Sequence, residues 1–470
     1  MRGVARVGVY APLLRLDCAA AARALKFSGL PARRDGSRAV AGWDEDALTM
    51  AVEAARGDGA PDALIFASTS APFFERLHST LAVDALGLPR EIRSRDVAGS
   101  RRCAVSALLD GLLASGSPLI AAGERRAARP GAAAHLSQGD GGAAAWVGDQ
   151  APARLVGWAS LSHDFVDIYA SREHPEPYAA EERFVRESAV AHILVPTILR
   201  ALDSAGLSGG DINHAAVHEP VGGLWRDISR ATKIAAPNHA NDVSAKLGDL
   251  GAAHALFAFA LACARAKPGE HILLAGFGSG CEALVFEMTG PMPGAERAEA
   301  ALREGVALTD YVRFLSLDGA LELDWGVRSE FSQKAQATVL ERYGRDALGF
   351  VGGRDLKGNV QFPKSRIPVR PDANGPEPML DVRLADEPAR VVSVTADRLN
   401  FTPDPPFWFG LAQFDNGARV MMEFTDADAR GFSVGDRVTM RLRIKSHDRR
   451  RGMRTYFWKA APAERPTLGG

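Results

Sequence analysis

The chain has 470 residues, 46% of them hydrophobic and 24% charged, with a formal net charge of −1. That length allows two or three domains around a sizeable core, and near-neutrality gives no global pull towards nucleic acid or a membrane surface. Four cysteines (Cys18, Cys103, Cys263 and Cys281) are too few and too scattered for a disulfide framework, and no C-x-x-C pair offers a zinc site. No apolar run reaches the roughly 18 residues of a membrane span. The N-terminal MRGVARVGVYAPLLRLD lacks a signal-peptide apolar core and cleavage site, so a reducing, cytoplasmic setting is expected.

Taken in order, Arg6–Pro12 predicts a first strand ended by proline, and Cys18–Phe27 an alanine-rich helix. A loop with Arg33, Arg34 and Arg38 follows, then a helix through Ala55 opened by acids at Asp44, Glu45 and Asp46. Ala63–Ala67 is a short continuous apolar run of the kind buried on both faces of a sheet. A helix is expected from about Phe73 to Leu86. Next comes Asp96-Val-Ala-Gly-Ser-Arg-Arg-Cys103, a polar turn leading into a helix whose Val105, Leu108, Leu109, Leu112 and Leu113 recur at helical spacing. Cys103 stands at the first turn, where unpaired N–H groups and the positive dipole end favour an anion. The expectation is a lowered thiol pKa and a nucleophilic thiolate; the alternative is a small core cysteine.

Pro118–Gly123 is another buried strand, and Gln138–Val147 a Gly-rich turn into a strand, the glycines serving either a close backbone approach or a tight turn. The second half repeats this outline. A helix from about Arg186 to Gly206 precedes a strand ending in His218, and Asn241–Lys267 holds a polar turn and a long apolar helix. Strands at Glu270–Gly276 and Ala283–Met288 flank the turn Phe277-Gly-Ser-Gly280. Ala63–Ala67 then corresponds to Ala215–His218, Pro118–Gly123 to Ile272–Gly276, and Ala143–Val147 to Ala283–Phe286. Two α/β layers related by a pseudo-twofold axis, or one long doubly wound sheet, fit this pattern. After Gly290 a mainly helical connector is expected, and from Gly352 the pattern turns to β. Val391–Val394, Phe407–Gln413, Arg419–Glu423 and Arg437–Ile444 suggest a small barrel. Arg443, Lys445, Arg449, Arg450, Arg451 and Arg454 read as a solvated hairpin or as a contact for a phosphorylated ligand such as CoA or a partner chain.

A cysteine at a helix start, a histidine at a strand end in the second half, and the polar turn Lys246-Leu-Gly-Asp249 occur in the order of a known family. Over roughly residues 1–290 the chain resembles the thiolase superfamily, chiefly ketoacyl-ACP synthase III and hydroxymethylglutaryl-CoA synthase. The likeness rests on Arg38–Met50, the cysteine turn, Gln138–Ala145, His218-Glu-Pro220 and Gly276–Gly280. It implies an α/β, duplicated five-layer fold with halves at 1–170 and 171–290 and a connector at 291–350. Residues 351–465 resemble a thiolase-associated OB-fold domain, through Gly358–Pro363, Val394–Arg398 and Gly435–Val438, with no cysteine near Arg354 and Lys357 where a zinc-ribbon pair belongs. No metal is expected, and a nucleic-acid-binding role for that domain is disfavoured for want of an aromatic stacking pattern.

The resemblance implies roles. Cys103 would take an acyl group from a thioester, His218 would polarise the incoming carbonyl or shuttle a proton, and the N–H groups of Cys103 and Ser279 would form an oxyanion hole. Asp249 stands where the family has asparagine, and would repel an enolate, act as a base or orient His218. Thr69 stands where hydroxymethylglutaryl-CoA synthases carry a glutamate base, with Glu75 the nearest acid in sequence. The expected function is CoA-dependent acyl transfer that makes or thiolytically cleaves a carbon–carbon bond of a 3-oxoacyl-type substrate. No cofactor is bound permanently; a coenzyme A thioester is substrate, a small molecule is acceptor, and the subunits pair as a homodimer. The alternative is a non-catalytic scaffold binding acyl-CoA or a partner thiolase. Phe73, Phe74, Phe165, Tyr169 and Tyr178 suggest room for a bulky acyl chain, or core packing.

Overall fold

The computed structural model describes residues 2–30, 35–326 and 337–468; Arg33, Arg34 and residues 327–336 of the expected connector lie outside them. The chain forms two compact units, Met1–Ala41 with Asp46–Thr80 and Glu91–Ala320, and Gly42–Glu45 with Leu81–Arg90 and Leu321–Gly470.

In the first unit nine strands make one mixed sheet. They are β1 (Arg2–Tyr10), β2 (Ala63–Ala67), β3 (Arg93–Val97), β4 (Pro118–Glu124), β5 (Gly141–Asp149), β6 (Ala153–Ser162), β7 (Ile212–Val217), β8 (His271–Phe277) and β9 (Gly280–Met288). Their order is β7-β8-β9-β6-β1-β5-β4-β2-β3. The two wings join where β1 and β6 pair through only Gly3–Arg154 and Val4–Ala153. Within each wing the pattern repeats: β2 runs parallel to β4 and β4 antiparallel to β5, as β7 runs parallel to β8 and β8 antiparallel to β9. The doubled strand pattern thus lies within one mixed sheet rather than a doubly wound one.

Five helices organise the layers: α1 (Ala47–Ala54), α2 (Cys103–Leu113), α3 (Val195–Ala205), α4 (Ala240–Leu247) and α5 (His254–Arg265). Helices α2 and α5 lie in one core with Ile65 and Ala67 of β2, Ile120 and Ala122 of β4, Ile272 and Leu274 of β8, and Leu284 and Phe286 of β9. Alternation along a strand sends the intervening residues to the other face, so Leu273, Ala275 and Phe277 meet Ile198, Ala201 and Leu202 of α3. Helix α1 covers the outer face of the first wing. Gly142 has no room for a side chain against the Met50 carbonyl, and in the second wing Gly157 has none against the Ala201 carbonyl. The result is a mixed α/β arrangement with helices packed on both faces of the sheet.

Some boundaries differ from the expectation. Helix α1 starts after Asp46, which caps it by accepting the Thr49 N–H at 3.0 Å, so Asp44 and Glu45 precede the helix. The helix expected from Phe73 begins at His78, where Asp96 accepts the His78 N–H at 2.8 Å.

Among the described residues the second unit holds two sheets. One pairs Val351–Arg354 with Val360–Gln361 and Leu380–Arg383. In the turn after Arg354, the buried Asp355 accepts the N–H groups of Lys357 and Asn359, each at 2.9 Å, and Arg370 Nε at 3.1 Å. Arg370 also pairs with Glu377. A cation-and-carboxylate cluster of this kind does not fit zinc. The other sheet is β10 (Ala389–Asp397), β11 (Phe407–Phe414), β12 (Arg419–Glu423), β13 (Arg437–Asp448) and β14 (Met453–Pro462), in the order β12-β11-β10-β13-β14. A bridge from Phe424 to Ala460 brings its two edges together. The basic hairpin departs from both expectations at Arg443. Its side chain is fully buried, with Glu45 at 3.2 Å and Asp426 at 2.9 Å. Lys459, also buried, pairs with Asp44 and Glu423, each at 2.9 Å. These two cations neutralise buried carboxylates.

Candidate active site

Strand β3 runs into Gly99-Ser100-Arg101-Arg102, and Cys103 is the first residue of α2. Its N–H donates to the Ser100 carbonyl at 3.0 Å, so one expected oxyanion donor is engaged within its own turn. Cys103 is 2% exposed. Burial first and the Glu124 carboxylate second push its thiol up, against the smaller opposing pull of the Ala104 and Cys103 N–H groups. The expected lowering is therefore overturned. A helix start is worth about 0.3–2 kcal/mol to an anion, whereas burying a charge costs about 4–7 kcal/mol. The resting thiol is neutral, and a thiolate forms only when its proton has an acceptor.

The Gly278–Gly280 turn is fastened beside the cysteine turn. Ser100 Oγ donates to the Gly278 carbonyl at 2.7 Å, and Arg102 Nη2 to the Ser279 carbonyl at 3.2 Å. Ser279 is exposed and sits at φ 48°, between Gly278 at φ 146° and Gly280 at φ 117°. A left-handed serine costs about 1–3 kcal/mol, a strain typical of functional turns.

His218 follows β7, and Asp249 follows α4 and Gly248. The structure brings them together, His218 Nε2 lying 2.8 Å from Asp249 Oδ1. The same oxygen accepts the Gly251 N–H at 2.9 Å. The other faces Arg126 Nη2 at 3.1 Å and Arg101 Nη1 at 3.8 Å. Arg126 and His218 hold the Asp249 carboxyl well below the usual carboxylate range, overcoming the burial that would raise it. Asp249 is therefore a carboxylate that accepts from His218 Nε2, the contact that an orienting role requires. Arg101, two residues before Cys103, also pairs with the buried Asp167 and links the cysteine turn to Asp249.

The Gly-rich turn serves close backbone approach. Gly139 has no room for a side chain against the Leu247 carbonyl. Its N–H donates to the Asp249 carbonyl at 2.9 Å, and the Asp249 N–H donates to Ser137 at 2.8 Å.

Sequence reasoning missed Glu124, Arg126, Arg101 and His254. Glu124 ends β4, is fully buried, and accepts from Thr69 Oγ1 at 3.0 Å, Ala252 N–H at 2.8 Å, Ser68 Oγ at 3.3 Å and Ser70 Oγ. The carboxylate beside Thr69 is thus Glu124, while Glu75 is exposed. The available signal was the charged Glu124-Arg125-Arg126 closing an apolar strand. The five aromatic residues do not form one pocket. Phe165 packs on Phe277 in the core, Tyr169 and Tyr178 pair with rings 5.7 Å apart, and Phe74 is exposed.

His218, Asp249 and His254 offer ligand atoms within 4.8 Å of one another. The ligand atoms of His254 and Asp249 are already engaged. His254 Nδ1 accepts the Leu250 N–H at 3.1 Å, its Nε2 faces the Ala240 carbonyl at 3.1 Å, and two guanidiniums face Asp249. The two guanidiniums beside the carboxylate disfavour a cation there.

Residues 202–288 match the family model described as 3-oxoacyl-[acyl-carrier-protein] synthase III C terminal. A hydroxymethylglutaryl-CoA synthase of Aeropyrum pernix is 27% identical over 351 residues, covering 71% of this chain and 94% of the relative. An HMG-CoA synthase crystal structure complexed with CoA superposes with a TM-score of 0.57 at 17% identity, over 71% of this chain and 94% of that one. The Curacin-pathway HMG synthase in complex with acetyl donor-ACP gives a TM-score of 0.55 at 20% identity, over 69% and 92%. The chain thus has the mixed α/β thiolase-like fold and is similar in sequence to hydroxymethylglutaryl-CoA synthases.

Proposed function

We propose that the chain is a thioester-dependent acyltransferase working through an acyl-enzyme on Cys103. Its main support is the gathering of the Cys103 turn, the Gly278–Gly280 turn and the His218–Asp249 pair by Ser100 and Arg101. The sulfur of Cys103 attacks the thioester carbonyl, the thiol proton leaves towards His218, and the carbon–sulfur bond to the carrier breaks. Because burial holds the thiol neutral, attack and proton removal are coupled, which keeps the resting cysteine inert. Similar proteins are named for CoA and, in the Curacin-pathway structures, for a donor ACP, so a coenzyme A or carrier-protein thioester is the donor of choice. The second substrate receives the acyl group; the relatives are named as hydroxymethylglutaryl-CoA synthases.

The C-terminal five-stranded sheet, with its Phe424–Ala460 bridge, supports an OB-fold. Strand β3, an edge of the large sheet, supports a homodimer through strand pairing. Burial of Cys103 also favours the second reading, a scaffold that binds acyl-CoA without turnover. Intact-protein mass spectrometry after mixing with acetyl-, propionyl- and a longer acyl-CoA separates the two. One acyl group is expected on the wild type and none on Cys103→Ala; CoA binding without acylation would instead support the scaffold.

A further inference from the structure

The half of the site that meets the second substrate is built around a carboxylate whose oxygens are already engaged. Asp249 Oδ1 accepts from His218 Nε2 at 2.8 Å and Gly251 N–H at 2.9 Å, and Oδ2 faces Arg126 at 3.1 Å. His218 therefore spends its Nε2–H on Asp249, so Nδ1 is the ring nitrogen left to accept a proton. A carbon acceptor reacts through an enolate, which needs hydrogen-bond donors on its oxygen; losing one such donor costs about 10²–10³-fold in rate. Here the ring donor is committed and its neighbour is a negative charge. Microscopic reversibility extends the same penalty to thiolytic cleavage, whose leaving group is also an enolate.

A nucleophile that brings its own proton needs the opposite: an acceptor held in one tautomer, with a fixed anion to balance the imidazolium that forms. Resting on the acyl-enzyme reading, we propose that the acceptor is a heteroatom nucleophile X–H, an alcohol, amine or thiol, so that the site makes esters, amides or exchanged thioesters. The X lone pair attacks the acyl carbon of S-acyl-Cys103 and the X–H proton passes to His218 Nδ1. The carbon–sulfur bond breaks, its electron pair returns to Sγ, and the thiolate recovers the proton from His218. Atoms and charge balance without any further reactant. Asp249 acts through His218 and is a positioning residue.

The test preloads the wild-type chain with acetyl-CoA, removes the excess, and follows loss of the acetyl group by intact mass. N-acetylcysteamine and ethanolamine serve as heteroatom probes, malonyl-CoA and acetoacetyl-CoA as carbon partners. Discharge by at least one heteroatom probe is expected to be about tenfold or more faster than by either carbon partner, with the acetyl group recovered on sulfur, oxygen or nitrogen. Asp249→Asn, which restores an amide donor, is expected to shift that ratio towards the carbon partners by about tenfold or more. A merely structural Asp249 would slow all four probes alike and leave the ratio unchanged, and that outcome overturns the proposal. Discharge by a carbon partner alone, or an acetyl-enzyme that outlasts both heteroatom probes, overturns it while leaving the acyl-enzyme intact. Failure to acylate at all overturns the underlying reading instead.

Discussion

Helices α2 and α5 occupy equivalent places between the two wings of the sheet, each almost wholly buried and rich in alanine and leucine. One starts with a thiol, Cys103, and the other with an imidazole, His254. A helix start favours the thiolate and disfavours the imidazolium, so the dipole alone would charge the first and keep the second neutral. Both are neutral. Burial and Glu124 push the Cys103 thiol up, and burial followed by His218 takes His254 down to about 3. Desolvation decides the charge state at both ends, and the dipole only adds to it or subtracts from it. Charge enters this cluster instead through Asp249 and Glu124, each held by donors from several loops and one short helical turn.

The largest expected way to break this balance is Arg126→Met. A buried carboxylate stripped of its partner costs about 3–5 kcal/mol, and Asp249, with a side chain 19% exposed, recovers part of that from water. A stability loss of about 2–3 kcal/mol in urea unfolding is expected. A loss under about 0.5 kcal/mol would mean that Arg101 alone neutralises Asp249.

The α5 side of the comparison is read through pH. The unfolded chain protonates His254 near its ordinary value of 6.5, the folded chain only near 3, so between those values the unfolded state holds the extra proton. This contribution is fully present above pH 6.5 and is lost as the pH falls, by about 1.4 kcal/mol per pH unit inside the window. His239, taken down to about 4 by burial and then by Arg265, adds in the same direction. Urea unfolding of His254→Gln at pH 7 and pH 5 is expected to give a shallower pH dependence than the wild type; an unchanged slope would remove His254 from the account.

The smallest effect belongs to the α2 side. Glu124→Gln keeps the shape and removes the charge that adds to burial at Cys103. Alkylation of Cys103 by iodoacetamide is expected to quicken about three- to tenfold. An unchanged rate would leave burial as the whole cause.

The sequence alone determined the doubled β pattern, because buried strands are written as continuous apolar runs such as Ala63–Ala67 and Pro118–Gly123. It also placed Cys103 at a helix start and His218 at a strand end, since both depend on local punctuation. Tertiary structure decided their ionisation, because desolvation and partner charges come from residues far away in the chain. Glu124 meets Ala252 across 128 positions, and Arg126 meets Asp249 across 123. The same holds for the basic hairpin: Arg443 and Lys459 read as surface charge until Asp44, Glu45, Glu423 and Asp426 are folded against them. A chain records which residues prefer burial, but the partners that make a buried charge tolerable exist only once the chain has closed around it.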